Sequence, residues 1–483
     1  MTLLADMVSV SQRVVASSAR LGKVRELASL LRALPAEEID IAVHYLSGQT
    51  PQGRIGIGYA MLRATAAKSS SSEATLSLLE VDRQLDAIAA EQGAGSAARR
   101  AQLLRQLFAR ATMAEQQFLL ALLIGELRQG ALAGVMVDAI AAAAALPVAL
   151  VRRAAMYASS LGTVARAALL EGTAALEKFH LQLFSPVAPM LAQTAADVAE
   201  ALQQLHGEVA FEWKLDGARI QVHKRGDDVR IYTRTLNEVS PALPEIVELV
   251  RTFSAGELVL DGEAIALDAS GRPHPFQVTM RRFGRKLEVE QVRRELPMSA
   301  FFFDCLYVEG SSIADQPTRE RVQALVAAVP ATQRIARLVT RSEPTAHAFY
   351  EAALAAGHEG VMAKSLDAPY EAGNRDARWL KIKRVHTLDL VVLAAEWGHG
   401  RRAGKLSNLH LGALDPSSGD YVMLGKTFKG LTDVMLEWQT KQFLERETHR
   451  DQMTVYVRPE LVVEIAFSDL QASTRYPGGL ALR

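Results

Sequence analysis

The amine of Lys214 is placed where it could act as a nucleophile. It stands two residues before Asp216-Gly217 and five before Arg219, in the run Phe211-Glu212-Trp213-Lys214-Leu215-Asp216-Gly217-Ala218-Arg219-Ile220. Residues Glu208 to Trp213 are apolar and aromatic enough for a strand. Past the turn, Ile220 and Val222 alternate with Gln221 and His223, the period of a second strand. Asp216-Gly217 therefore reads as a turn between two strands. Lys214 falls at a strand end, held by a sheet and open on one side, where an amine can meet a substrate.

Other segments supply partners for such chemistry. Leu258 to Leu267 reads as strand–turn–strand carrying Glu263, and Ala300 to Val308 as an aromatic strand carrying Phe303 and Asp304. Gly357 to Lys364 brings Glu359 and Lys364 to another strand. In Trp379-Leu380-Lys381-Ile382-Lys383 the period of two puts both lysines on one face. A lysine attacks phosphorus only as the neutral amine, and a free lysine has a pKa of about 10.4. Nearby cations lower it, and Arg219, Lys364, Lys381 and Lys383 are the ones expected around Lys214. A fall of about 2 needs roughly 2.7 kcal/mol of differential interaction. The same cations would hold phosphate oxygens during transfer. Glu263 and Glu359 are hard oxygen donors that suit Mg²⁺.

The pattern Lys-x-Asp-Gly-x-Arg resembles the nucleotide-attachment motif of covalent nucleotidyltransferases, the polynucleotide ligases and messenger-RNA capping enzymes. The longer run from Glu212 to Arg219, followed by Tyr232-Thr233-Arg234-Thr235, is most similar to ATP-dependent DNA ligases. The resemblance implies that Lys214 takes AMP from ATP, passes it to the 5′-phosphate of a nick in duplex DNA, and the nick is sealed. It implies ATP and Mg²⁺ as cofactors, with Glu263 at the ribose or metal and Glu359 at the metal. Phe303 would stack on adenine. Glu212 would accept a hydrogen bond from the adenine amino group, where guanine presents a carbonyl. Arg219 and Arg234 are candidates for ribose and 5′-phosphate contacts, and Phe301 and Phe302 are expected in the core.

The bulk composition is compatible with this. A chain of 483 residues, 49% hydrophobic, makes about two to four domains with real cores the expectation. A lone Cys305 excludes internal disulfides and a cysteine-built zinc site, and fits a reducing cytoplasm. The N-terminus lacks the basic stretch of a signal peptide. The longest apolar run, Ala139 to Val151, is alanine-rich, contains Pro147, is too short for a bilayer and reads as a buried helix. Formal net charge is zero, which counts mildly against a nucleic-acid binder. Local basic stretches offset this: Arg281 to Arg294 holds six Lys/Arg and two Glu, and Lys381 to Gly430 holds eight Lys/Arg and four Asp/Glu.

A multidomain chain is expected: an all-α N-terminal domain, an α+β nucleotidyltransferase domain and a C-terminal OB-fold β-barrel. Residues 1–185 read as helices. Leu27, Leu30, Leu31 and Leu34 keep helical spacing before Pro35, and Thr112-Met113-Ala114-Glu115 has the form of a capping box ahead of Phe118, Leu119, Leu122, Leu123 and Leu127. Leu123 to Gly130 looks like a segment of the helical DNA-binding domain of larger DNA ligases, which makes Arg128 a phosphate-contact candidate. Residues 181 to 207, with Pro186 and Pro189, read as a link into the adenylation domain, 186–386. From 387 to 483, short strands at Leu388 to Ala395, Leu409 to Leu414, Tyr421 to Leu424 and Leu461 to Phe467 suit a small barrel. Its loop from Gly398 to Lys405 offers Arg401, Arg402 and Lys405 to DNA. The last residues, Arg475 to Arg483, look like the opening of the family's final basic motif, cut off before its remaining basic residues. The expectation is slow self-adenylylation with sealing of pre-adenylylated nicks retained. The partner expected is nicked duplex DNA, encircled by a monomer, with no membrane role. An RNA ligase or capping-type transferase, and a nick-binding protein without efficient turnover, are the alternative readings.

Overall fold

The computed structural model describes the chain except residues 54, 59–60, 63, 65–69, 128–132, 159, 285–288, 374, 400–401, 469 and 483. Among the described residues, the elements from Leu4 to Glu177 are helices. The helix Arg20–Ala33 buries Leu27, Leu30 and Leu31 and stops ahead of Pro35, since the residue before proline is driven out of the helical region. The capping box forms at Met113–Leu123. The Thr112 N–H donates to Glu115 Oε2 at 2.8 Å and the Glu115 N–H to Thr112 Oγ1 at 3.4 Å. The apolar run 139–151 is two helices, Ala133–Ala144 and Val148–Tyr157, rather than one. Pro147 has no N–H to give and its ring blocks the preceding turn, so the chain breaks at Ala145, with φ 55°. Among the described residues no helix is long and apolar enough to cross a membrane.

The α+β region carries, in chain order, β1 (Leu191–Thr194), β2 (Val209–Lys214), β3 (Ala218–Arg225), β4 (Asp228–Thr233), β5 (Glu257–Ala266), β6 (Met298–Val308), β7 (Ser311–Ser312), β8 (Arg337–Thr340), β9 (Gly360–Ser365) and β10 (Arg375–Lys383). They make two sheets, ordered β1-β10-β9-β2-β8 and β4-β3-β5-β6-β7. The Asp216-Gly217 turn therefore carries the chain from one sheet to the other rather than closing a hairpin. On the first sheet Val209, Phe211, Val361, Ala363, Leu380 and Ile382 pack with Ala201 of the helix Val198–Leu205 and with Ala346 and Ala353 of the helix Glu343–Ala355. Period two sends the alternate residues of β2, β9 and β10 to the other face. The second sheet likewise buries Ile220, Val222, Ile231, Leu258 and Leu260 with Ile246, Val250 and Leu325 of its own helices.

Two features of this region differ from the sequence expectation. Residues 181 to 207 are not only a link: they hold β1, which pairs in parallel with β10, and the helix Val198–Leu205. Asp197 caps that helix, accepting the Glu200 N–H at 2.8 Å, a short capping signal hidden beside the prolines. The stretch read as strand–turn–strand is one strand, Glu257–Ala266. Gly262 serves close approach instead of a turn, because a Cβ there would lie 2.7 Å from the Phe302 ring and 2.8 Å from the Phe301 carbonyl.

The C-terminal region has β11 (His386–Trp397), β12 (Leu406–Leu414), β13 (Tyr421–Thr427), β14 (Glu447–Arg450), β15 (Thr454–Val457) and β16 (Val462–Phe467), with a helix at Asp433–Glu445. The long β11 pairs with β16 through its first half and with β15 and β12 through its second, the bent shared strand of an OB-fold. Leu390, Val392, Leu409, Leu411, Phe443 and Val455 fill its centre. The strands β17 (Leu470–Ala472) and β18 (Leu480–Leu482) pair beside it.

Candidate active site

The inward face of the first sheet is a small lattice set by register. Lys214 of β2 stands opposite Gly360 of β9, and Gly360 opposite Lys383 of β10. In the next rung Glu212, Met362 and Lys381 align, and in the one after, Lys364 and Trp379. Glu359 enters from the turn before β9, where its N–H donates to the Lys214 carbonyl at 3.1 Å. Its carboxylate pairs with Lys214 Nζ and, at 3.0 Å, with Lys383 Nζ. Burial works to raise the Glu359 carboxyl, but Lys214 and Lys383 outweigh it and hold it below the ordinary carboxylate range. Lys214 thus rests directly on the carboxylate of Glu359, which was expected at the site as a metal ligand.

Glu263 comes from the second sheet, opposite Arg219 in the β3–β5 pair. The turn after Lys214 must pass close to it. A Cβ on Gly217 would lie 2.5 Å from the Ala264 carbonyl and 2.8 Å from Glu263 Cγ. Burial pushes the Glu263 carboxyl up to about 8, against the pull of Lys214 and Arg219. Glu359 therefore pairs with the Lys214 amine, the Glu263 carboxyl lies close enough for the amine to act on it through charge, and among the described residues no cluster of three or more His, Cys, Asp or Glu could hold a metal ion. That donor set fits Mg²⁺, which takes one or two carboxylates and completes its shell with substrate phosphates and water.

Arg219 is less free than a phosphate ligand would be. Its guanidinium pairs with Asp261 at 3.0 and 2.6 Å, and donates to the Met190 carbonyl at 2.5 Å and to Tyr370 Oη at 3.1 Å. It lies 5.4 Å from the Phe303 ring centre. Arg234 follows β4 and is exposed. Glu212 is buried, with Lys364 Nζ at 2.6 Å from one oxygen and Arg337 on the other. Lys364 Nζ also sits 4.5 Å from the Phe303 ring centre and 4.0 Å from that of Trp379. Burial lowers the Lys364 amine, against the pull of Glu212. Phe302 is core as expected, but Phe301 is half-buried and lines a cavity of about 520 Å³ with Trp213, Leu215, Ile335 and His358. None of Lys214, Glu212, Glu263 or Glu359 lines that cavity.

Asp261, Tyr370 and Arg337 were missed by sequence reasoning. They lie on three separate segments, and no local spacing ties them to Lys214. In the basic loop, Arg402 Nη1 donates to the Phe428 carbonyl at 2.5 Å and Lys405 Nζ pairs with Glu437 at 2.5 Å. Arg128 and Arg401 lie outside the described residues.

Three family profiles match the chain in the order of its regions. "DNA ligase N terminus" matches residues 61–141, "ATP dependent DNA ligase domain" residues 189–383, and "ATP dependent DNA ligase C terminal region" residues 402–483. A protein named probable DNA ligase from Anaeromyxobacter dehalogenans (strain 2CP-C) is 58% identical over 484 residues, covering 100% of this chain and 94% of that one. One of the same name from Mycolicibacterium gilvum (strain PYR-GCK) is 56% identical over 483 residues, covering 100% and 94%. A solved structure called Pmar-Lig_PreS3 has the same fold, with a TM-score of 0.65 at 18% identity over 99% of this chain and 97% of that one. The lattice around Lys214 falls inside the matched central region, and the chain belongs to the ATP-dependent DNA ligase family.

Proposed function

We propose that the protein seals nicks in duplex DNA and that Lys214 carries the AMP. The observation that carries this reading is the rung Lys214–Gly360–Lys383 with Glu359 across it. It gives one amine at a strand end, one cation beside it and a carboxylate paired with both. The Lys214 Nζ, once it leaves Glu359 and loses its proton, attacks the α-phosphorus of ATP and pyrophosphate departs. The 5′-phosphate of the nick then displaces the lysine, and the 3′-hydroxyl displaces AMP. Lys381 and Lys383 share the face of Lys214 and hold the phosphate oxygens through these transfers. Glu359 and Glu263 would hold a bound Mg²⁺, which would supply neutralisation of phosphate charge beside Lys381 and Lys383. Phe303 stacks on the base, Glu212 reads its amino group, and Arg234 meets phosphate or ribose at the rim.

The reading extends to the whole chain. Residues 1–185 and 387–483, with Arg128, Arg401, Arg402 and Lys405, close around the DNA as a monomer, and 186–386 does the chemistry in the cytoplasm. ATP labelled at the α-phosphate tests the core of it. Wild-type protein is expected to carry label on a denaturing gel, and Lys214→Ala to carry none while melting at an unchanged temperature. Label persisting in Lys214→Ala would remove the assignment.

A further inference from the structure

We infer that Arg337 sets the base specificity of nucleotide transfer by fixing Glu212 against Phe303. The inference rests on the reading of those two residues as the pair that recognises the base. Arg337 opens β8 and stands directly opposite Glu212 in the antiparallel β2–β8 pair. Both side chains therefore leave the same face, with Cβ atoms about 5 Å apart. From there Arg337 Nη2 donates to Glu212 Oε1 and, at 2.9 Å, to the Phe303 carbonyl.

Glu212 belongs to the first sheet and Phe303 to the second. One guanidinium thus ties the carboxylate on one wall of the site to the stacking ring on the other. The segment leading into β8 is itself pinned, because the Ile335 N–H donates to the Phe302 carbonyl at 3.0 Å. Lys364 holds the remaining Glu212 oxygen at 2.6 Å. The whole arrangement is shielded, with the Glu212 side chain 2% exposed and that of Arg337 14% exposed. A planar guanidinium can serve two acceptors at a fixed angle, whereas an ammonium is a point charge.

The consequence is for selectivity. A carboxylate with a cation on each oxygen accepts hydrogen bonds and donates none. It suits the amino group of adenine and rejects a purine with a carbonyl at the same carbon. Its distance from a base lying on Phe303 is what makes the rejection effective, and Arg337 fixes that distance. The sequence motifs contain no hint of this, because Arg337 lies 125 residues from Glu212.

The test compares ATP with inosine triphosphate, which has that carbonyl in place of the amino group and a proton on the adjoining N1. Single-turnover labelling of Lys214 by each nucleotide gives a preference ratio. The same ratio is read as binding constants by calorimetry in a Lys214→Ala background, so it does not depend on lysine chemistry. Wild type is expected to prefer ATP. Arg337→Gln is expected to cut the preference by about 10- to 100-fold, the worth of a hydrogen bond to a charged group. Arg337→Lys is expected to recover part of it, keeping the charge on Glu212 but not the tie to Phe303. Thermal melts report whether each variant folds, and if Arg337→Gln does not, Arg337→Lys alone decides. An unchanged ratio in a folded variant, with both nucleotides weakened equally, would show Arg337 to be a brace only and overturn the inference. So would a wild-type protein that binds both nucleotides alike.

Discussion

Asp261 performs no step of the proposed reaction, yet Arg219 depends on it. The carboxylate is 2% exposed and takes two hydrogen bonds from the guanidinium and one, at 2.6 Å, from Tyr370 Oη. Burial works to lower the Arg219 guanidinium, but Asp261 and Tyr370 outweigh it and hold it above its ordinary value. Removing one member of a buried pair leaves the other as an uncompensated charge, at a cost of about 3–5 kcal/mol. Asp261→Asn is therefore expected to destabilise the α+β region by that amount, read in urea unfolding by tryptophan fluorescence. A loss under about 1 kcal/mol would mean that Met190 and Tyr370 satisfy the guanidinium without the charge. This residue also marks where legibility stops. Lys214, Asp216 and Arg219 sit within six consecutive residues, so spacing alone singles them out. Asp261 and Tyr370 meet Arg219 only because β5 and the segment before β10 fold over it, and no local pattern encodes such a meeting.

At the scale of elements, three neighbouring strands of the C-terminal barrel share one carboxylate. Glu396 on β11 accepts from Asn408 Nδ2 at 2.6 Å, faces His410 Nε2 at 3.0 Å, both on β12, and pairs with Lys426 on β13. Burial works to raise this carboxyl, but Lys426, His410 and Asn408 outweigh it and hold it at about 2, against an ordinary 4.5. A folded-state value below the unfolded one means that the stabilisation is complete above about pH 4.5 and is lost as the pH falls toward 2. Glu396→Gln is expected to flatten the acid limb of the barrel's unfolding curve over that window while changing little near neutrality. An acid limb of unchanged slope would place the sensitivity elsewhere. Reading short apolar runs between glycine loops found β11, β12 and β13. It failed at β5, where Asp261-Gly262 imitates a turn, and at β1, a four-residue parallel strand beside two prolines. Short edge strands and glycines that admit a neighbouring chain carry no period of their own.

For the whole molecule, a formal net charge of zero means that attraction to DNA has to come from local cations. The loop after β11 is the clearest such place in the C-terminal region, and its described cations are already engaged by their own barrel. Arg402 reaches the Phe428 carbonyl and Lys405 reaches Glu437 on the helix Asp433–Glu445. An exposed pair of this kind is worth little in water, with a median of about 0–1 kcal/mol. Phosphate can therefore compete for Lys405 at small cost, while the Arg402 anchor keeps the loop's shape. Each cation that no longer neutralises a phosphate lowers the slope of log binding constant against log salt by about 0.9 on duplex DNA. Charge reversal at Arg401, Arg402 and Lys405 together is expected to weaken binding to a nicked duplex and flatten that slope by about 2–3. Glu437→Gln serves as the opposite arm, because it releases Lys405 and should strengthen binding at low salt. Titrations at several salt concentrations with a labelled nicked duplex measure both variants. If neither variant alters the slope, the loop is a self-paired surface turn and the grip on DNA lies in the helical region and the central sheets.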